Sequence, residues 1–136
     1  MRYLLDTNVI SEVMKAVPEA GVEAWIHEHD EDSALSVIVL AELADGIESL
    51  ADGKKKAALS RKLDFLQEDY ADQILVFDEV CAWEWARYCR EARQAGYSPP
   101  LLDSLIAATA RVWGMTVVTR NESDFPLLEV VNPFNP

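Results

Sequence analysis

The sequence predicts an α/β domain, a three-layer sandwich with a mostly parallel central sheet. Three observations lead there. Short apolar runs such as Tyr3-Leu4-Leu5 and Thr116-Val117-Val118 alternate with stretches whose apolar residues recur at helical spacing, and that alternation builds a parallel sheet covered on both faces. Acidic residues follow two of the runs, Asp6 at the end of the first and Asp124 shortly after Thr116-Val117-Val118, toward the strand ends where the ligand crevice of an open parallel sheet lies. The length, 136 residues, suits one domain over residues 1–136 and is short for two.

Arg2 to Asp6 reads as a buried strand, and Asn8 to Lys15 as a short helix ahead of Pro18. Residues 19–29 form a second helix with Val22, Trp25 and Ile26 on one face. Ala34 to Val37 is a short strand, and near Ser36 the pattern turns to a helix carrying the stripe Leu40, Leu43, Ile47 and Leu50. Asp52-Gly53 ends it, and Lys54 to Glu68 follows as a helix with Leu59, Leu63 and Leu66 inward. Ile74 to Phe77 is a third strand, then a helix runs from about Glu79 to Ala95 and stops at Gly96. Ser98-Pro99-Pro100 starts the next, over residues 101–113, because proline is tolerated where the first-turn amides are free anyway. Thr116 to Thr119 is a fourth strand and Glu129 to Val131 a short fifth.

Composition narrows the function. The net charge of -12 argues against a protein that coats nucleic acid, since such proteins neutralise phosphates with Lys and Arg. It leaves a nuclease open, because screening limits repulsion to about 8 Å at physiological salt and a divalent ion reverses the sign locally. No run approaches the roughly 20 apolar residues of a membrane span, and Asp6 interrupts the early apolar run that a secretory signal requires. A cytoplasmic protein is expected. Cys81 and Cys89 lie eight residues apart in one expected helix, roughly 12 Å between Cα atoms and beyond disulfide reach. With only His27 and His29 besides, a thiolate or histidine zinc site is not expected. A metal here must use oxygen ligands.

Four carboxylates are candidates. Asp6 either caps the following helix or faces the crevice as a ligand; Thr7 or Asn8 is available as a cap in its place. Glu42 lies beside the apolar stripe of its helix, and read alone is a boundary glutamate with a solvated head. Asp103 sits in the first turn of a helix whose same-side residues Ile106, Ala107 and Ala110 are apolar or small. An acid on a core-facing side needs a partner, although a helix N-terminus alone also favours negative charge. Asp124 is a loop acid, and loop acids are commonly only solvated. A set of such oxygens suits Mg²⁺ or Mn²⁺, which activates water and neutralises charge in phosphoryl transfer.

Other groups carry less. Arg87, Arg90 and Arg93 recur every three residues, and Lys54-Lys55-Lys56 opens a helix; both read as solvated faces. His27 and His29 stand among acids and read as exposed, and Trp83, Trp85 and Trp113 as core or subunit contacts. Neither a glycine-rich phosphate loop nor a Ser-His-Asp pattern is present.

Leu4-Leu5-Asp6-Thr7-Asn8-Val9-Ile10-Ser11-Glu12, Ala41-Glu42-Leu43-Ala44-Asp45-Gly46-Ile47, Asp103-Ser104-Leu105-Ile106-Ala107-Ala108-Thr109-Ala110, and Thr119-Arg120-Asn121 with Asp124-Phe125 together resemble PIN-domain ribonucleases, specifically the VapC-type toxins of bacterial toxin-antitoxin pairs. The closing Asn132-Pro133-Phe134 is also similar. The resemblance spans nearly the whole chain. It implies a PIN-like fold and an RNA-cutting hydrolase in which Asp6, Glu42, Asp103 and Asp124 bind Mg²⁺ or Mn²⁺, with Asn8, Thr119 and Asn121 as supporting polar groups. Some similar proteins carry Asp at the position of Asn121, so this chain departs from that variant and Asp124 is open to a role outside the metal shell. The resemblance also implies a homodimer and a cognate antitoxin. Two rivals stand beside this reading: a nuclease for structured DNA, and a PIN-like binding module without catalysis.

Overall fold

Strand β1 (Tyr3–Leu5) occupies the middle of a five-stranded sheet in the computed structural model, which describes residues 1–135. The others are β2 (Ser33–Ser36), β3 (Ile74–Leu75), β4 (Thr116–Val118) and β5 (Val130–Val131), in the order β3-β2-β1-β4-β5. Every neighbouring pair is parallel, with Tyr3 opposite Ser33 on one side and Thr116 on the other, and Leu5 opposite Val118. Helices flank it: α1 (Thr7–Val13), α2 (Ala20–His29), α3 (Val37–Glu48), α4 (Lys54–Asp69), α5 (Glu79–Gln94) and α6 (Leu101–Trp113). The α/β expectation holds, and the sheet is parallel throughout.

The apolar runs became strands because they are buried on both faces. Leu4, Leu5, Val117 and Val118 have no exposed surface, and full burial of such a side chain contributes about 1.5–3 kcal/mol. Val22 from α2, Val39 from α3, Tyr88 from α5 and Ile106 from α6 close over them. Helix α4 adds only partly buried Leu63 and Leu66, so it is the most loosely held of the long helices. Gly114, at φ 66°, ends α6 in the left-handed conformation that glycine adopts without strain and returns the chain into β4.

Two boundaries differ from the periodic reading. The third strand ends at Leu75 rather than Phe77, because Val76 is exposed and Asp78 already caps α5 by accepting from the Cys81 amide at 3.1 Å. Leu50 lies beyond the end of α3, and Val39, outside the expected stripe, is its most buried residue.

Consecutive strands β1, β2 and β3 step one way from the centre, and β4 and β5 step the other. The direction reverses between β1 and β4. At such a point the two outgoing connections part and leave a crevice at the carboxyl ends of the strands, and Asp6 and Thr119 are the residues that follow those ends.

Candidate metal centre

Asp6 is built into the crevice from both sides. Its amide donates to the Val118 carbonyl at 2.9 Å, continuing the β1–β4 ladder one residue past the strand. Its backbone remains extended and its Oδ1 accepts from the Thr7 amide at 2.8 Å, so it is the N-cap of α1. Its Oδ2 accepts from the Thr119 hydroxyl at 2.8 Å and from Asn8 Nδ2 at 3.1 Å. Capping and ligand roles thus do not compete: one oxygen caps while the carboxylate as a whole faces two other acids.

Those acids are Glu42 and Asp103. One carboxylate oxygen from each of Asp6, Glu42 and Asp103 lies within 4.8 Å of the others. Glu42 reaches the site because Ser36 starts α3, its hydroxyl accepting from the Ile38 amide at 2.8 Å, and the helix then carries residue 42 toward α1. There it accepts from the Thr7 hydroxyl at 2.9 Å. The solvated-head reading of Glu42 is therefore corrected: its carboxylate is partly buried and engaged. Asp103 lies in the first turn of α6, started by Pro100, and is also partly buried.

Electrostatics mark this as an unbalanced group. Burial pushes the Asp6 carboxyl above its usual range despite the Thr119, Thr7 and Asn8 hydrogen bonds, and the Asp124 charge adds to the rise. Burial also raises Glu42, with the nearby Asp6 charge acting the same way against the Thr7 bond. Asp103 is pushed up to about 7, by burial first and then by the charges of Asp6, Asp124 and Glu42. Like charges held together out of water resist ionisation, and a hard cation with oxygen preference is the partner that removes the conflict. The donor set fits such an ion.

Asp124 stands outside the close group of three. It ends a short 3-10 turn, Glu122–Asp124, after β4, and there it raises both Asp6 and Asp103, in the latter also through a side-chain hydrogen bond. Asn8 bridges Asp6 and Thr119, donating to Thr119 Oγ1 at 3.2 Å, while its Oδ1 accepts from the Arg120 amide at 3.0 Å. Asn121 supports the group through its backbone, donating its amide to Thr119 Oγ1 at 3.0 Å. Buried Tyr88 fixes the segment behind Asp124 by donating its hydroxyl to the Pro126 carbonyl at 2.9 Å.

Sequence reasoning passed over Thr7 as the partner of Glu42, and it passed over Ser11, Glu12, Lys15 and Arg120, which line a cleft of about 500 Å³ together with Asp6, Glu42 and Asp103. The Asp6-Thr7-Asn8 run at a strand end was the available signal for Thr7. His29 is not simply exposed: it is partly buried and stacks on Trp25 with ring centroids 4.1 Å apart, beside Tyr3 at the other end of β1. Trp85 packs inward, its indole donating to Ser104 Oγ at 2.8 Å, whereas Trp83 and Trp113 are exposed. Cys81 and Cys89 are free thiols. Among the described residues no helix is long and apolar enough to cross a membrane.

A family model described as PIN domain matches residues 3–129. The chain is similar to the toxin FitB of Neisseria gonorrhoeae, 40% identical over 135 residues that span 98% of this chain and 96% of that one. It is also similar to the VapC ribonuclease Y4jK of Sinorhizobium fredii, 36% identical over 137 residues and 98% of each chain. Among solved structures, the crystal structure of FitAcB from Neisseria gonorrhoeae matches with a TM-score of 0.92 at 38% identity, over 98% of this chain and 99% of that one.

Proposed function

This chain belongs to the PIN-domain family, and from that premise we propose that it is a metal-dependent endoribonuclease, the toxin of a toxin-antitoxin pair. The observation that carries the reading is the convergence of Asp6, Glu42 and Asp103 within 4.8 Å at the sheet's reversal point. Three acids raised by burial and, each to its own extent, by neighbouring carboxylates that include Asp124 make poor structural elements and good ligands. The names of full-length relatives, a toxin and a ribonuclease, supply the reaction class.

In this reading Asp6, Glu42 and Asp103 hold Mg²⁺ or Mn²⁺, and Asp124 completes the acidic set from beside them. Such an ion, when bound, supplies an activated water and offsets the charge that builds on the phosphodiester. The chain's own residues do the positioning. Thr119 and Asn8 fix one Asp6 oxygen and the Thr7 amide the other, so the carboxylate presents one orientation. The Thr7 hydroxyl does the same for Glu42. Outer partners of this kind orient ligands and tune their basicity. Asp103 sheds its proton on ligation, which makes affinity rise with pH through neutrality.

The surface offers room for the partners that this reading implies. A groove of about 590 Å³ lined by Met14, Leu43, Ile47, Leu50 and Leu59 shares Thr7, Ser11, Lys15 and Glu42 with the acid cleft. We assign it to the antitoxin, since an occupant there lies against the catalytic acids. A second copy of the chain is the other partner, and exposed Val80, Trp83, Leu101 and Leu102 offer it apolar surface. We place the protein in the cytoplasm with its RNA substrates. The test of the function is Asp6→Asn: loss of RNA cleavage and of growth arrest supports it, and retention of both overturns it. The DNA-nuclease rival is separated by comparing RNA with structured DNA, and the binding-module rival by biological effect surviving in the amide variant.

A further inference from the structure

We propose that Lys15 and Arg120 form a phosphate-binding rim beside the acid cluster, gripping the RNA backbone next to the bond that is cut. The inference rests on the ribonuclease reading and adds substrate-binding residues to it. A chain of net charge -12 that presents acids to a polyanion needs local cations, because attraction to phosphates is supplied by Lys and Arg within about a Debye length. Of its 12 Lys and Arg residues, Lys15 and Arg120 are the two that line the cleft holding Asp6, Glu42 and Asp103.

Both are held in place. Lys15 follows α1, and its Nζ lies 2.8 Å from Glu12 Oε1. The other Glu12 oxygen accepts from the Glu19 amide at 3.0 Å, which fastens the turn between α1 and α2. Glu12 itself is buried, yet the Lys15 side chain is 59% exposed. An ammonium has three donors, and one bond to Glu12 leaves the others for an incoming oxygen. The Lys15 ammonium and then the Glu19 amide, with Arg120 adding least, hold the Glu12 carboxyl below the usual range, so Glu12 stays charged and keeps the anchor.

The backbone of Arg120 is anchored by the residue that orients Asp6. Its amide donates to Asn8 Oδ1 at 3.0 Å, and Asn8 Nδ2 donates to Asp6 Oδ2 at 3.1 Å. Its guanidinium lies over the Phe134 ring, 4.7 Å from the centroid. Stacking restrains the planar group and leaves its N–H edge free for the bidentate pairing that suits phosphate. One asparagine thus ties the backbone of the phosphate-binding arginine to a metal-binding acid, and Phe134 restrains its guanidinium. The competing account is that Lys15 only neutralises Glu12. It gives no reason for a second cation, tied to the Asp6 network, in the same cleft.

The experiment measures the dissociation constant of a fluorescent single-stranded RNA oligonucleotide against KCl concentration, in an uncut Asp103→Asn background, with and without Lys15→Gln, Arg120→Gln and the pair. Each lost cation is expected to weaken binding and to make the log–log salt slope shallower by about 0.7. The exchanges Lys15→Arg and Arg120→Lys keep the charge and are expected to keep the slope, which separates lost phosphate contact from lost fold. In the cleaving protein the paired Gln variant should raise KM with kcat nearly unchanged. Unchanged slopes in the Gln variants, or no RNA binding at all, overturn the rim. RNA cleavage with unchanged slopes sinks the rim alone. Slopes that depend on the two cations in a protein that never cuts RNA uphold the rim and sink the nuclease reading.

Discussion

Thr119, after β4, donates its hydroxyl at 2.8 Å to Asp6, after β1, across 113 residues of sequence. The bond spans the one point where the sheet reverses direction, and it is buried. Thr119→Val keeps the shape and removes the donor, leaving a carboxylate oxygen short of a partner. The expected cost is about 1–3 kcal/mol of stability and about 10–100-fold in cleavage. Thr119→Ser retains the hydroxyl and should recover most of both, read by thermal melting and by initial rates.

The pH dependence of the metal-free fold has a definite sign. Asp103 moves from an ordinary 3.8 to about 7 in the folded chain, so the native state binds more protons than the unfolded one between those values. Stability is then fully present below the unfolded value and is lost as pH rises through the folded one. Raised Asp6 and Glu42 act in the same direction, while Glu12, Asp78 and Glu91 are lowered and act the opposite way, adding stability as pH rises from the acid end. In EDTA the melting temperature should fall from about pH 5 to about pH 8, and Asp103→Asn should flatten the fall. Added Mg²⁺ or Mn²⁺ should raise the melting temperature more at the higher pH, since ligation requires the deprotonated acids.

Much of this architecture is legible in the residues. Tyr3-Leu4-Leu5 and Thr116-Val117-Val118 reveal themselves as strands because burial on both faces demands uninterrupted apolar residues, and Pro99-Pro100 with Gly114 brackets α6. Asp6 and Asp103 are conspicuous for the converse reason: each is an acid where the local pattern asks for an apolar or small residue. Glu42 is not, because what engages it is a hydroxyl 35 positions away, and helical spacing carries no record of that. Lys15 and Arg120 are invisible for the same reason, since the cleft they share is made by turns that only the sheet order brings together. The end of β3 is set by the Asp78 cap rather than by hydrophobicity.

The acids should not be equal. Asp124 lies outside the close trio and acts on Asp6 and Asp103 by its charge and a hydrogen bond. Asp124→Asn is expected to slow cleavage by about tenfold, the scale of an outer-shell change, with the metal still bound. Glu42→Gln should weaken metal binding itself. Calorimetric titration of Mn²⁺ into the two variants distinguishes these outcomes, and equal loss of affinity would place Asp124 among the ligands.

Neutralisation should be separable from cleavage. Leu59 lines the apolar groove and lies outside the acid cleft, so Leu59→Glu places a charge where the antitoxin is assigned and leaves the acids untouched. Growth arrest should then persist when the antitoxin is co-expressed, while the purified variant cuts RNA at the parental rate.

The most direct measurement is cleavage of a mixed RNA pool by the purified protein with Mg²⁺, with Mn²⁺ and with EDTA, alongside Asp6→Asn. Cutting that needs the divalent ion and vanishes in the variant is the predicted result. Cutting that survives EDTA or the Asp6→Asn exchange would contradict a metal centre built on these carboxylates.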